Sequence, residues 1–155
     1  MMSSTFYGSL AVTLVTALAA PAWAEGDVAN GEKVFRKCAA CHTVEADGPA
    51  RVGPNLHDVV GRVTGSFEGY AYSEVMTTMG AEGHVWTPEE LDKYLENPRQ
   101  FAPGTKMAFV GLRKPEERAD VIAYLISLNP AGAEAAEPAA PEAEAEAEAE
   151  AEPAN

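Results

Sequence analysis

Cys38 and Cys41 stand three positions apart, and His42 follows directly, in the run Cys38-Ala39-Ala40-Cys41-His42. Each of two thiols at this spacing can add to one vinyl group of a porphyrin, giving two thioether bonds. An imidazole beside the second thiol then emerges where it can take one axial position of the iron. This is the attachment signature of a c-type haem. These are the only two cysteines in 155 residues, so no disulfide framework and no four-thiolate metal cage competes with it. A thioredoxin-like dithiol needs a strand and a βαβ pattern around the motif, which this sequence lacks. A zinc site would have to recruit His57 or His84 from distant positions. The expectation is one covalent haem c, bound through Cys38 and Cys41, with His42 on the iron.

The second axial position decides the chemistry. Its candidates are Met76, Met79, Met107, His57 and His84, or no side chain at all. A second histidine lowers the potential of such a centre and a methionine raises it. An open position would admit oxygen or peroxide and mark an enzyme or a gas sensor. Met76 and Met79 lie three apart on a predicted short helix, where core packing is the ordinary role of methionine. Met107 instead ends Pro103-Gly104-Thr105-Lys106-Met107, a constrained loop 65 residues beyond His42. That separation suits approach from the opposite face of a ring.

The elements that position these residues are helical. Val28, Gly31, Val34, Phe35 and Cys38 fall on one face of a first helix, with Asp27 placed to cap it. A short helix is expected from about Ser73 to Met79. Thr87-Pro88-Glu89-Glu90 forms a capping box with proline at the first helical position. Leu91, Tyr94 and Leu95 follow on one face, and Asn97-Pro98 ends that helix. A last helix opens at Pro115 with Glu116 and Glu117 and presents a stripe of Val121, Tyr124, Leu125 and Leu128. No segment alternates as a strand. Residues 43–72 and 98–111, rich in Gly and Pro, read as long loops. Such loops are unusual in a small domain, but a large apolar macrocycle at the centre gives them something to pack against. The fold class is all-α, with helices and long loops wrapped around one haem.

Three domains of composition divide the chain. Residues 1–24 carry no charged side chain, and their apolar stretch from Leu10 to Ala20 is 11 residues long, too short for an ordinary membrane span. Pro21 and Ala22-Trp23-Ala24 supply a small-x-small cleavage pattern, so the segment reads as an export signal removed after Ala24. An anchor that is kept is the alternative; the leading segment has no Lys or Arg to complete the signal pattern. Residues 25–130 are the folded domain. Residues 131–155 are almost entirely Ala, Glu and Pro, with eight Glu and no basic residue, and read as a solvated, disordered acidic tail. Of the net charge of −13, the tail accounts for eight, leaving 16 acidic against 11 basic residues in the domain. A chain this acidic has no general field for nucleic acid.

These residues carry a resemblance. Gly26-Asp27-Val28, Gly31, Phe35, Cys38-Ala39-Ala40-Cys41-His42-Thr43-Val44, Gly53-Pro54-Asn55-Leu56-His57 and Gly61-Arg62 occur in order. Trp86, Tyr94-Leu95-Glu96-Asn97-Pro98, Pro103-Gly104-Thr105-Lys106-Met107 and Ile122-Ala123-Tyr124-Leu125 follow. Over residues 26–129 the chain resembles the class I cytochromes c, above all the bacterial cytochrome c2 / c550 group close to mitochondrial cytochrome c. The resemblance implies His42 and Met107 as the axial pair, and Pro54 as the carbonyl that accepts the His42 N–H. It implies Arg62, Tyr72 and Trp86 as partners of the haem propionates, Tyr94 and Thr105 as polar groups beside the methionine, and a contact of Gly31 and Phe35 with Tyr124. Met76 departs from the family, which often has an asparagine there.

A haem with both axial positions filled exchanges electrons but offers no site for substrate. The resemblance therefore implies a non-enzymatic, monomeric, periplasmic one-electron carrier. It would run from a cytochrome bc1 complex to a terminal oxidase of a respiratory chain or to a photosynthetic reaction centre. A haem enzyme, a gas sensor with a displaceable sixth ligand, or a membrane-tethered carrier are the alternatives. Arg36, Lys37, Arg51, Arg99, Lys106, Arg113 and Lys114 flank the attachment site and the Met107 loop, and are expected to form a basic docking face that steers acidic partners.

Overall fold

The structure, a computed structural model, describes residues 26–132. Helix α1 (Val28–Phe35) starts where Asp27 Oδ1 accepts from Asn30 N at 2.8 Å. It ends at Arg36, and a run of turns carries the chain from there through the two cysteines, with Cys38 N on Phe35 O (2.7 Å) and His42 N on Cys38 O (3.0 Å). The motif is therefore presented by turns rather than by a continuation of the helix. α2 (Glu74–Ala81) begins and ends close to its expected bounds. α3 (Pro88–Glu96) begins with Thr87 Oγ1 accepting from Glu90 N at 3.2 Å. Only half of the expected capping box forms, because the Glu90 carboxylate turns away to His84 and Lys93.

Asn97 ends α3 and at once caps a further turn, α4 (Pro98–Phe101), through Oδ1 to Gln100 N. The sequence reading placed this segment in a loop. Proline at a first helical position and asparagine before it are start signals as much as stop signals. α5 (Pro115–Leu128) is the longest helix and packs against both α1 and α3. That two-sided packing explains why Ile122, absent from the expected stripe, is wholly buried while Tyr124 and Leu128 sit at the margin.

The α1–α5 contact is made backbone to backbone. A Cβ on Gly31 would lie 2.0 Å from Asp120 O and 2.7 Å from Tyr124 Cβ, so only glycine admits the approach. Phe35 and Tyr124 then meet with ring centroids 5.5 Å apart. Val28, assigned to this face by periodicity, is 45 % exposed, since the close approach is at Gly26 and Gly31.

No strand forms among the described residues. A single antiparallel bridge pairs Val63 with Val85, extended by Thr64 N to His84 O (2.9 Å) and Trp86 N to Arg62 O (3.0 Å). The loop from 43 to 57 is held by one buried side chain, Asn55, whose Nδ2 reaches Glu45 O (2.8 Å), Thr43 Oγ1 (2.9 Å) and Gly48 O (3.1 Å) while its Oδ1 accepts from His57 N (2.7 Å). The export segment 1–24 and the tail beyond 132 lie outside the described residues. Ala131 and Gly132, expected to belong to the tail, form a final turn against Val60 and Gly61.

Candidate cofactor site

Helices α1, α2, α3 and α5 frame a cavity of about 390 Å³ with mostly apolar walls. Phe35, Leu56, Val59, Met76, Leu91, Leu95, Val121 and Leu125 supply those walls. Cys38, Cys41, His42, Pro54, Arg62, Tyr72, Trp86, Tyr94, Thr105 and Met107, the residues singled out from the sequence, all line it. Among the axial candidates only His42, Met76 and Met107 reach the cavity. Met79 packs behind it in the core. His57 Nδ1 is engaged with Val44 O (3.0 Å), and His84 with Thr64 and Glu90. No three His, Cys, Asp or Glu side chains converge among the described residues, which leaves the zinc reading without a ligand set.

One wall is built around His42. Pro54 O can only accept, so at 2.7 Å His42 Nδ1 must be the donor, and Nε2 is left with its lone pair. Burial pushes the imidazole below its ordinary value, against the opposing effect of the Pro54 bond. Burial favours the neutral ring and the Pro54 bond fixes its tautomer, which together give the form that ligates metal. Gly53 makes the ring's place, since a Cβ there would lie 2.3 Å from His42 Cε1. The two thiols are half-buried and unlinked, and burial raises the Cys38 thiol to about 11.

The facing wall comes from α3 and the loop after α4. Tyr94 Oη donates to Met107 Sδ at 3.2 Å. Thr105 Oγ1 lies 3.3 Å from the same phenol oxygen and accepts from Met107 N at 3.3 Å. With the phenol proton on sulfur, the Thr105 hydroxyl supplies the proton between the two oxygens. Burial raises the Tyr94 hydroxyl above its ordinary value and keeps it a donor. Lys106 Nζ donates to Ala71 O (2.7 Å) and Tyr72 O (2.9 Å), strapping the Met107 loop to the segment before α2. The sequence reading missed this strap, because the acceptors are main-chain atoms 34 and 35 positions away. It also missed Phe109 and Val52, which line the cavity; their only sequence signal is proximity to Met107 and Pro54.

A polar corner closes the site. Arg62 Nη2 donates to Asn55 O (2.8 Å), Nη1 meets Asp58, and the guanidinium lies over Phe67, 5.4 Å from its ring centroid. Tyr72, its hydroxyl raised by burial, and Trp86 stand beside it on the lining. Trp86 Nε1 has no acceptor among the described residues, yet no buried side-chain nitrogen or oxygen is orphaned. The indole N–H therefore opens onto the cavity. A mostly apolar chamber lined by two thiols, an imidazole and a thioether, with Arg62, Tyr72 and Trp86 also on its lining, fits a haem with two carboxylates. Burying those carboxylates unpaired would be costly.

The expected basic face is more engaged than its composition implies. Lys37 pairs with Glu117 at 2.5 Å, Lys114 lies 3.8 Å from the same carboxylate, and Lys106 is committed to its two carbonyls. Arg36, Arg99 and Arg113 have no carboxylate partner among the described residues, and Arg51 Nη1 donates to Ala39 O at 3.2 Å. Arg118, unremarked in the sequence, is buried and bound to Asp92 (2.7 Å) and Leu112 O (2.9 Å), where it fixes the start of α5.

Residues 28–129 match the Cytochrome c family. A cytochrome c2 of Agrobacterium tumefaciens is 48 % identical over 102 residues, covering 66 % of this chain and 92 % of that protein. A cytochrome c of Gibberella zeae is 50 % identical over 103 residues, 66 % of this chain and 94 % of its own. A cytochrome c2 of Afifella marina is 49 % identical over 98 residues, 63 % and 79 % of the two chains.

Proposed function

Because this chain belongs to the cytochrome c family and binds one covalent haem c through Cys38 and Cys41, we propose that it is a periplasmic one-electron carrier between a cytochrome bc1 complex and a terminal oxidase or photosynthetic reaction centre. Electron transport is the coarse function; the compartment and the partners are the finer reading. The haem supplies an iron that cycles between ferrous and ferric states. His42 and Met107 would hold that iron and leave no coordination site for substrate, so in this reading the protein is a carrier and not an enzyme.

The observation that carries this reading is the Tyr94 hydrogen bond to Met107 Sδ. That sulfur and the Pro54-bound imidazole line one mostly apolar chamber. A sulfur held in place from behind needs no rearrangement when the iron changes charge. An apolar chamber and a thioether ligand both disfavour the more charged ferric state and favour a high potential. Arg62, Tyr72 and Trp86 hold the propionates, with Asp58 offsetting part of the Arg62 charge. The export segment 1–24 delivers the domain of residues 25–130 to the periplasm and is removed after Ala24. The carrier works as a monomer. Arg36, Arg51, Arg99, Arg113 and Lys114 form the exposed docking charges.

The test is stopped-flow kinetics of the purified protein with isolated bc1 complex, oxidase and reaction centre across a range of ionic strength. Fast exchange that slows with salt is expected, with Lys114→Glu slower at low salt only. Absence of the weak far-red iron–sulfur band in the oxidised protein, with rapid ligand binding by the ferrous form, would overturn the carrier reading in favour of a sensor or enzyme. Intact mass of the exported protein reads the cleavage directly.

A further inference from the structure

His84 has no part in the mechanism above, yet it is one of the most engaged side chains outside the cavity. Its Nδ1 lies 2.6 Å from Thr64 Oγ1 and its Nε2 3.2 Å from Glu90 Oε2. The same Glu90 accepts from Lys93 Nζ at 2.6 Å. Chemistry fixes the direction of each bond. Lys93 and His84 hold the Glu90 carboxyl below its usual range, so it can only accept, and Nε2–H must donate to it. In the neutral ring Nδ1 then has the lone pair, and the Thr64 hydroxyl donates to it. Thr64 is 2 % exposed, and no other acceptor lies within reach of its hydroxyl among the described residues.

The ring so held is a brace for Trp86. It stands edge-on to the indole, with centroids 5.1 Å apart and planes at 83°, and edge-on to Phe101 at 6.0 Å. Trp86 in turn touches Tyr94 at 4.9 Å and stacks near Phe101 at 6.1 Å. Nothing polar among the described residues anchors the indole itself, since its N–H opens onto the cavity. Its orientation is set by packing alone, and His84 is the one packing partner locked by directional bonds from two separate elements, the 61–64 segment and α3. The backbone agrees, with His84 N on Met79 O (3.0 Å) and Thr64 N on His84 O (2.9 Å) on either side.

We propose that Thr64, His84 and Glu90 form a positioning chain that aims the Trp86 N–H at a haem propionate and thereby sets the redox potential. The inference rests on the reading that Trp86 faces a propionate. An indole that drifts lengthens its bond to that carboxylate. The carboxylate's negative charge is then less compensated, and the ferric iron beside it is favoured. None of the three residues touches the cofactor. They act through Trp86.

The test uses the holoprotein and the variants Thr64→Val, Thr64→Ser, His84→Phe and Trp86→Phe, each read by redox titration against mediators. Nitrogen chemical shifts of the His84 ring in the ferrous protein at alkaline pH give a second readout. Thr64→Val, which keeps shape but removes the donor, should shift the ferrous/ferric equilibrium about threefold toward ferric, roughly 30 mV at 59 mV per tenfold. His84→Phe should shift it in the same direction. Thr64→Ser should restore the wild-type value, which a merely structural loss would not do. The His84 ring should carry its proton on Nε2, a measurement that needs no variant to fold. A proton on Nδ1 would overturn the proposal, as would an unchanged potential in Thr64→Val while Trp86→Phe shifts it. An unchanged potential in Trp86→Phe would instead overturn the propionate role of Trp86 itself.

Discussion

Replacing Asn55 with alanine removes the hub of the loop that carries Gly53 and Pro54. Three acceptors surround Nδ2, but the amide has two hydrogens, so at most two of those bonds are made at full strength at once, and Oδ1 adds one more from His57 N. Three bonds at about 1 kcal/mol net each give roughly 3 kcal/mol. The carbonyls of Glu45 and Gly48 are not deeply buried, so water satisfies them in part and the loss falls to about 2–3 kcal/mol. For a domain of this size that lowers Tm by about 10–15 °C. Denaturant unfolding of the oxidised holoprotein, followed by far-UV circular dichroism, measures the loss. Asn55→Asp sharpens the test. Aspartate keeps the acceptor for His57 N but sets a carboxylate against three oxygens, so its folded pKa lies above the unfolded one. Its extra destabilisation is therefore present at neutral pH and shrinks as pH falls through the folded value. Asn55→Ala within about 0.5 kcal/mol of wild type, or Asn55→Asp with no pH dependence, would refute the hub.

Gly31→Ala places a methyl 2.0 Å from Asp120 O and should cost about 1–3 kcal/mol as the α1–α5 contact opens, seen as faster amide exchange in both helices. Lys106→Ala removes two exposed main-chain bonds from the Met107 strap, roughly 1–2 kcal/mol together. Imidazole should then bind the ferric protein about 5- to 30-fold faster, and an unchanged rate would show that the strap does not gate the loop. Lys93, then His84, hold Glu90 below its usual 4.5, so its stabilisation is present above that value and is lost as pH falls through the lower, folded one. Glu90→Gln should accordingly flatten the acid limb of a stability–pH curve while leaving the neutral region with a smaller constant loss.

Legibility followed the range of each interaction. Cys38, Cys41 and His42 were readable because their chemistry is local to five positions, and α3 and α5 because proline and capping residues mark their starts. Met107 was readable only as a residue in a constrained loop, and its partner Tyr94 came from family resemblance, since nothing in the spacing ties position 94 to 107. The Lys106 strap, the Arg118–Asp92 pair and the Thr64–His84–Glu90 chain were not readable at all. Each joins segments by atoms whose meeting depends on the closed fold, and lysine, arginine and histidine look the same in sequence whether they face water or a carbonyl. The pairing within the basic face was hidden for that reason: counting cations does not reveal that Glu117 lies between Lys37 and Lys114.

The raised Cys38 thiol also bears on how the protein is made. Burial raises the Cys38 thiol before it is bonded, and a thiol that keeps its proton is a poor nucleophile. The wall opposite it comes from residues 91–125, which lie late in the chain. Thioether formation would therefore be easier while Cys38 is still in water. Val121 and Leu125 of the last helix complete the chamber that the bonded group would occupy. The thioether bonds make attachment permanent, and the fold sets when the thiol can react.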